Sequence, residues 1–257
     1  MFTPRTPRIV TARRLQRRKD RDQARRFLAE GPQAVREALA AGVVLELFGT
    51  PAGLERHADL AAQAPEVSPV TDEALAALAD TVHPQGLVAL CEQVDVPIGE
   101  VLAKQPKLIA VLAEIRDPGN AGTVLRTADA AGADAVIFAG DAVDPYNGKC
   151  VRASAGSLFH LDVVRASLDV LDLLQNSGLQ VLATSGTGED DVDSLLDGGL
   201  LAAPTAWLFG SEAHGLPGEL IAAADRRVRV PIYGGAESLN LAAAAAVCLY
   251  SSARAQR

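Results

Sequence analysis

The sequence has few cysteines and no pattern among them. Its three, Cys91, Cys150 and Cys248, are scattered and odd in number, with no CxxC pair, which argues against a disulfide framework and a zinc site. No apolar run is long enough to cross a bilayer, and the longest, LAAAAAVCLY from Leu241 to Tyr250, has the length of a buried helix. The first residues lack the apolar core of a secretory signal. A cytoplasmic protein with no membrane partner is expected. Signature motifs are missing too. No GxGxxG follows the first strand of the second half, GxxxxGK[ST] does not occur, and there is no GxSxG. Nicotinamide-dependent oxidoreductase, P-loop and hydrolase readings thereby lose their specific support. Among the histidines only His214 falls in a candidate loop, where a turn role is the ordinary one, and the carboxylates show no metal-ligand spacing, so no metal is expected.

What the chain does have is the composition of a soluble globular protein. Its 257 residues are 49% hydrophobic and 22% charged, enough for one large domain or two modest ones. The formal net charge of −8 is unevenly spread. Between Arg5 and Arg26 stand ten Arg or Lys against Asp20 and Asp22, a local +8 that leaves −16 for the rest. A basic segment on an acidic body suits phosphate contact, with Arg13, Arg14, Arg17 and Arg18 as candidates. A solvated helix face or a frayed tail is the structural alternative.

Residues 1–26 are therefore read as a basic N-terminal arm, helical from Thr11 to about Arg26 and lying on a surface. Residues 27–96 alternate as a compact α/β domain. Its elements are a helix opened by Gly31-Pro32, a strand at VVLELFG, a helix over Gly53–Gln63, a helix over Thr71–Ala79 capped by Thr71, and a strand at GLVALCEQV. Pro97, Gly99 and Pro106 mark residues 97–106 as a linker.

Residues 107–257 alternate more strongly. KLIAVLAEI, DAVIFAG, LQVLATS, TAWLFG and VRVPI (Val228–Ile232) read as strands covered on both faces. Helices are expected between them at about 121–131, 168–177 and 217–223, and a last one from Ser238, as N-cap, to about Ala253. This predicts a parallel sheet whose ligands sit beyond the carboxyl ends of its strands. Those ends carry RDPGNAG, TSGTGE, GSEAHGLP and YGGAESLN, loops that offer mainly backbone groups. Their chemically useful side chains are Asn120, Arg126, Glu212, Ser238 and Asn240.

NAGTVLRTA (Asn120–Ala128), LFGSEAHGL (Leu208–Leu216) and VRVPIYGGAESLNLA (Val228–Ala242) closely resemble, in order and spacing, the three motifs of the SpoU (TrmH-like) branch of the SPOUT RNA 2′-O-ribose methyltransferases. KCVRASAGSLFHL (Lys149–Leu161) resembles another stretch of that family, and EGPQAVREAL with QGLVALCE resembles its L30e-like substrate-binding domain. The whole chain is similar to the thiostrepton-resistance type of 23S rRNA methyltransferase. The resemblance implies an α/β fold with a trefoil-knotted, parallel-sheet catalytic domain over 107–257 after a smaller L30e-like domain, S-adenosyl-L-methionine as cofactor, structured RNA as substrate, and a homodimer. Composition suggests no knot, since chains are in general unknotted.

Carried over by motif, the cofactor contacts are main chain at Thr184, Ser185 and Gly186, at Gly210, Ser211 and Glu212, and at Val230, Ile232 and Leu239. Arg126 is implied as the catalytic arginine; from spacing alone it equally suits an ion pair with Asp129. A guanidinium is a reluctant base, whereas gripping a phosphate or stabilising developing charge is ordinary chemistry for it. Asn120, Glu212, Ser238 and Asn240 would orient Arg126, the ribose and the loops. Ser238 also suits a helix cap, while Asn240, in the first turn, has no packing advantage there. Arg152 is a second RNA-contact candidate. The reading is a methyltransferase acting on 23S rRNA, the separate N-terminal domain and arm favouring rRNA over tRNA. A tRNA guanosine 2′-O-methyltransferase and a non-catalytic RNA-binding or ribosome-assembly factor are the alternatives. The run Ala242–Ala246 is expected to be at least partly buried, in a helix at a dimer seam.

Overall fold

A computed structural model describes residues 1–211 and 214–257. Its contacts divide the chain into two compact units, Met1–Val94 with Asp144–His160, and Asp95–Val143 with Leu161–Arg257.

In the first unit, α1 (Pro7–Arg14) and α2 (Arg18–Ala24) precede β1 (Arg26–Glu30), α3 (Pro32–Ala40), β2 (Val44–Gly49), α4 (Pro51–Arg56), α5 (Ala58–Ala61), β3 (Val67–Pro69), α6 (Asp72–Leu78) and β4 (Leu87–Glu92). The sheet order is β1-β4-β2-β3, with β4 antiparallel to both neighbours and β3 parallel to β2. The basic segment is not the single helix expected over 11–26. It is two short helices, the second stopped at Arg25, whose left-handed backbone (φ 53°) turns the chain into β1. Nor does it only lie on the surface. Ile9, Ala12 and Leu15 are buried, and the first two pack with Phe48, Val70, Leu75 and Leu78. The helix expected over 53–63 is likewise broken, into α4 and α5, at the non-helical His57. Thr71 caps α6 as its sequence position implies, accepting from the Ala74 N–H.

In the second unit, α7 (Ile98–Ala103) occupies what reads as plain linker, followed by β5 (Leu108–Ala113), α8 (Pro118–Ala131) and β6 (Ala135–Ala139). The chain then contributes residues 144–160, including α9 (Gly148–Ala153), to the first unit, although sequence boundaries place them with the second half. It continues through β7 (Asp162–Ala166), α10 (Val170–Asn176), β8 (Gln180–Thr184), β9 (Asp190–Asp191), α11 (Val192–Asp197), β10 (Thr205–Phe209), α12 (Gly218–Ala223), β11 (Arg226–Arg229) and α13 (Leu241–Ala255). The sheet order is β7-β6-β5-β10-β8-β11-β9, every neighbouring pair parallel. The last motif's strand ends at Arg229 rather than Ile232, two residues short of Pro231, which has no N–H for a ladder.

Both faces of this sheet are covered. Ile109, Val111, Ile137 and Leu208 pack with Val101 of α7, Leu171 and Leu174 of α10 and Leu220 of α12. On the opposite side, buried Trp207 donates its indole N–H to Ser252 Oγ of α13 at 2.8 Å, and α13 lies against α8. Within the alanine run Ala242 and Ala245 are buried, which agrees with a helix needing small side chains for close approach.

Segment 144–160 is fixed in the first unit by a buried charge pair. Arg21 lies with its Nε 2.7 Å and Nη2 2.6 Å from Asp144 Oδ2, while its Nη1 donates to the Leu15 and Gln16 carbonyls at 2.9 and 3.0 Å. Phe27 packs on Tyr146, ring centroids 4.7 Å apart, and the Tyr146 hydroxyl accepts from the Val94 N–H. Removing one partner leaves the other charge buried and unpaired. Arg21→Ala is therefore expected to lose about 3 kcal/mol in urea denaturation, and the double variant Arg21→Met, Asp144→Leu distinctly less. Equal losses would show that packing, not the charge pair, sets the cost.

Candidate active site

The carboxyl ends of β5, β10, β8 and β11 lie side by side. Phe209 follows the row Leu208–Ala183, and Thr184 pairs with Val228. The loops leaving these strands are the ones the sequence singles out.

The first loop begins at Thr184, whose hydroxyl donates to the Leu208 carbonyl at 2.9 Å, and the Ser185 N–H extends the ladder to Val228 O at 2.9 Å. It turns at Gly188, which presses on β11: a Cβ there would lie 2.6 Å from the Arg229 nitrogen. Arg229 closes the contact by donating to the Gly188 carbonyl (2.8 Å) and pairing with Asp191 (3.2 Å). The second loop folds back on itself. Ser211 and Gly215 exchange backbone hydrogen bonds of 3.1 and 2.8 Å, and a Cβ on Gly210 would sit 2.4 Å from the Gly215 carbonyl carbon. Glu212, one of the expected site residues, lies outside the described residues.

The third loop, 230–240, is the most open. Val230 is half-buried, whereas Ile232 and Leu239 expose 39% and 41% of their surface. Tyr233, largely exposed, donates its hydroxyl to Asp193 at 2.8 Å, and the bond to that carboxylate holds the phenol above its ordinary pKa. Asp191, N-cap of α11, is held below the usual carboxylate range chiefly by the Ser194 N–H, with Arg229 assisting. An acidic run, 189–193, is thus zipped to Arg226, Arg227 and Arg229.

Two long helices begin beside these loops. Asp117 caps α8, accepting from the Gly119 N–H at 2.5 Å. The cap of α13 is Asn240, not Ser238: its Oδ1 accepts from the Ala242 N–H at 2.9 Å and its Nδ2 donates to Asn120 Oδ1 at 3.3 Å. Asn240 therefore has a structural role that its first-turn position had not suggested, and it ties the two helix starts together. Ser238 is exposed in the loop. Arg126 stands exposed on α8 and, among the described residues, forms no ion pair, with Asp129 or otherwise. Six residues at 100° each put it about a third of a turn round from Asn120 and about 9 Å along the axis. Arg152 is elsewhere, in the first unit, held by Glu30 and Asp80. Arg13, Arg14, Arg17 and Arg18 are exposed on α1 and α2.

Sequence reasoning missed Asp117, although Asp-Pro-Gly before a helix is a readable cap signal. It also missed the zipper, whose signal is the complementarity of EDDVD with RRVR.

An adenosyl group with a charged methionine tail fits what these loops offer. Among the described residues the main chains of Gly186, Ile232 and Leu239 make no hydrogen bond, a Cβ on Gly186, Gly234 or Gly235 would meet nothing within 4 Å, and Ile232 and Leu239 supply exposed apolar surface beside these free polar groups. No group of three or more metal-ligating side chains occurs among the described residues, and no described helix is long and apolar enough to cross a membrane.

The SpoU rRNA methylase family model matches residues 107–250, and the MRM3-like substrate binding domain matches residues 6–89. The chain is 34% identical to the Bacillus subtilis 23S rRNA (guanosine(2553)-2′-O)-methyltransferase RlmP, over 93% of this chain and 92% of that protein. Among solved structures it is similar to an AdoMet-bound rRNA methyltransferase from Sinorhizobium meliloti (TM-score 0.83, 34% identity, 97% of this chain and 95% of that one). It is similar too to the SpoU methyltransferase AviRb from Streptomyces viridochromogenes (TM-score 0.81, 28% identity, 98% of each chain).

The Asn240 geometry separates cap from link. Asn240→Ala is expected to cost about 1 kcal/mol of stability through the lost cap, and Asn240→Asp, which keeps the acceptor, only a few tenths. Thermal unfolding of the two variants checks this, and equal shifts would mean that the bond to Asn120, not the cap, carries the effect.

Proposed function

The chain belongs to the SpoU rRNA methylase family, and from that premise we propose that it transfers a methyl group from S-adenosylmethionine to a ribose 2′-hydroxyl of 23S ribosomal RNA in the cytoplasm. The observation that carries the reading is the convergence of the three motif loops and the loop after β8 at the carboxyl ends of the adjacent strands β5, β10, β8 and β11, with main-chain groups of Gly186, Ile232 and Leu239 free of hydrogen bonds among the described residues.

S-adenosylmethionine supplies an electrophilic methyl on its sulfonium. The remaining requirements fall on this chain. The main chain of loops 184–186, 210–212 and 230–239 would grip the adenosyl and methionine parts, and backbone recognition explains why small residues crowd those loops. Holding nucleophile and methyl in line supplies much of the rate. Ser238, Asn240 and Asn120 would orient the ribose at the paired helix starts, where the N-terminal ends of α8 and α13 favour negative charge. Arg126 would hold the neighbouring phosphate and stabilise the oxyanion that develops as the 2′-hydroxyl loses its proton. Glu212 is assigned an orienting role on its motif position alone.

The working species we propose is a homodimer. Ala243, Val247 and Tyr250 fall on one face of α13 at i, i+4 and i+7 and are exposed, Val247 at 37% and Tyr250 at 52%. Leu239 and Ile232, in the loop before α13, are exposed as well, and exposed apolar side chains gathered in one stretch of chain suit an interface. The trefoil knot expected of the family belongs to the same reading.

Calorimetric titration with S-adenosylhomocysteine is expected to show binding, and absence of heat at millimolar ligand would refute the cofactor. Arg126→Ala should lower transfer to a 23S transcript about a hundredfold or more with cofactor affinity nearly intact; normal turnover would remove Arg126 from the mechanism. Mapping 2′-O-methylation in rRNA and tRNA with and without the gene identifies the target. Val247→Glu is expected to convert the dimer to monomer in sedimentation velocity, whereas an unchanged dimer would place the seam elsewhere.

A further inference from the structure

Where α1 and α6 stop covering the sheet of the first unit, an open groove of about 780 Å³ remains between α1, α2 and strands β2 and β4, a volume within the range of small-molecule sites. Its floor is apolar, with Ala12, Leu15, Leu45 and Leu90. Arg14 and Arg26 stand at its rim, exposed and in no ion pair among the described residues. Three carboxylates line it: Asp20 beside Arg17, Glu66 paired with Arg8, and Glu46 in its wall, only 5% exposed. Ser68 Oγ (2.5 Å) and Arg8 (3.2 Å) both donate to Glu46 Oε1, and among the described residues Oε2 receives no hydrogen bond.

An apolar slot, guanidinium groups at the mouth that are unpaired among the described residues, and a little-exposed acceptor in the wall match the three parts of a nucleotide: a ring to cover, a phosphate to neutralise and base N–H groups to accept from. A second phosphate site alone would need neither the apolar floor nor the carboxylate, which would repel it. We propose that this groove seats one unstacked base of the RNA substrate, apart from the ribose that is methylated, with Glu46 Oε2 accepting from the base edge and Arg14 and Arg26 holding its backbone. The basic helices then act as the wall of a reading site and not only as an electrostatic contact. This rests on the RNA substrate proposed above, but not on the chemistry of methyl transfer.

The test uses the full chain and binding rather than activity. Gln23→Trp fills the groove from an exposed position in its lining, and Glu46→Gln preserves an acceptor for Ser68 while turning the second oxygen into a donor. Each is expected to weaken binding of a 23S rRNA transcript at fixed salt by about tenfold, the loss of one base contact, with S-adenosylhomocysteine affinity unchanged. A transcript carrying 4-thiouridine should crosslink to α1, α2 or β4 in the wild type and not in Gln23→Trp. Wild-type RNA affinity in both variants, or crosslinks that survive filling, would overturn the proposal. Weakened RNA binding in a chain that fails to bind S-adenosylhomocysteine would support the groove and sink only the methyltransferase reading.

Discussion

The loops of the candidate active site touch main chain to main chain. A side chain on Gly210 would occupy the space of the Gly215 carbonyl, and one on Gly188 that of the Arg229 nitrogen, so glycine is required at both. Contacts of this kind leave no slack. They fix the positions of carbonyl and N–H groups through the register of β8, β10 and β11 rather than through rotamers. The loops after β5, β8 and β10 inherit their places from strands buried along most or all of their length, and Trp207, held by Ser252, anchors the middle of that arrangement. The main-chain groups of these loops are thereby positioned by the sheet beneath them, while in loop 230–240 the main chains of Ile232 and Leu239 make no hydrogen bond among the described residues.

What the sequence made legible follows from the same covering. LIAVLA, AVIFA and TAWLF are buried at every position, because a parallel sheet sheathed by helices writes continuous apolar strings. The edge strands had no such signal. β7 contains Arg165, paired with Asp95, and β9 is Asp190-Asp191, held by arginines; edges carry charge for good reason. β1 was hidden because RFLAE follows directly on the basic segment. The start of α13 was undecidable from composition. Ser238 and Asn240 are both good caps, and only the extended backbone of Asn240, with its side chain bonded to Ala242, decides between them. Four loops at the carboxyl ends of the strands were legible; the Asn120–Asn240 bond that ties two helix starts together was not.

Charge shows the limit of counting. Ten cations in twenty-two residues suggested a phosphate-contacting arm or a solvated helix face. The fold sorts them. Arg21 is buried against Asp144, and Arg8 is spent on Glu46 and Glu66, so neither is free to hold a phosphate without abandoning a carboxylate. Arg152 is occupied by two carboxylates in the same way. The exposed remainder includes Arg13, Arg14 and Arg26, with Arg17 and Arg18 beside Asp20 and Asp22, and lies on two helices and a strand end, of which α1 is packed by an apolar stripe. That converts a flexible polycation into a shaped surface with less entropy to lose on binding.

The same sorting bears on Arg126. A base must spend some of its time deprotonated, and a guanidinium in water is so at neutral pH in roughly one molecule in a million. Burial away from anions would be needed to raise that fraction, yet Arg126 is exposed. Among the described residues it forms no ion pair. In the proposed reading, a cation that is unpaired among the described residues, on the helix that begins beside the site, would serve an anion brought by the substrate, namely the phosphate next to the target ribose and the oxygen that gains charge as the methyl arrives. The proton itself can leave to water as the bond forms, since the transition state asks for charge stabilisation at that oxygen more than for a strong base beside it.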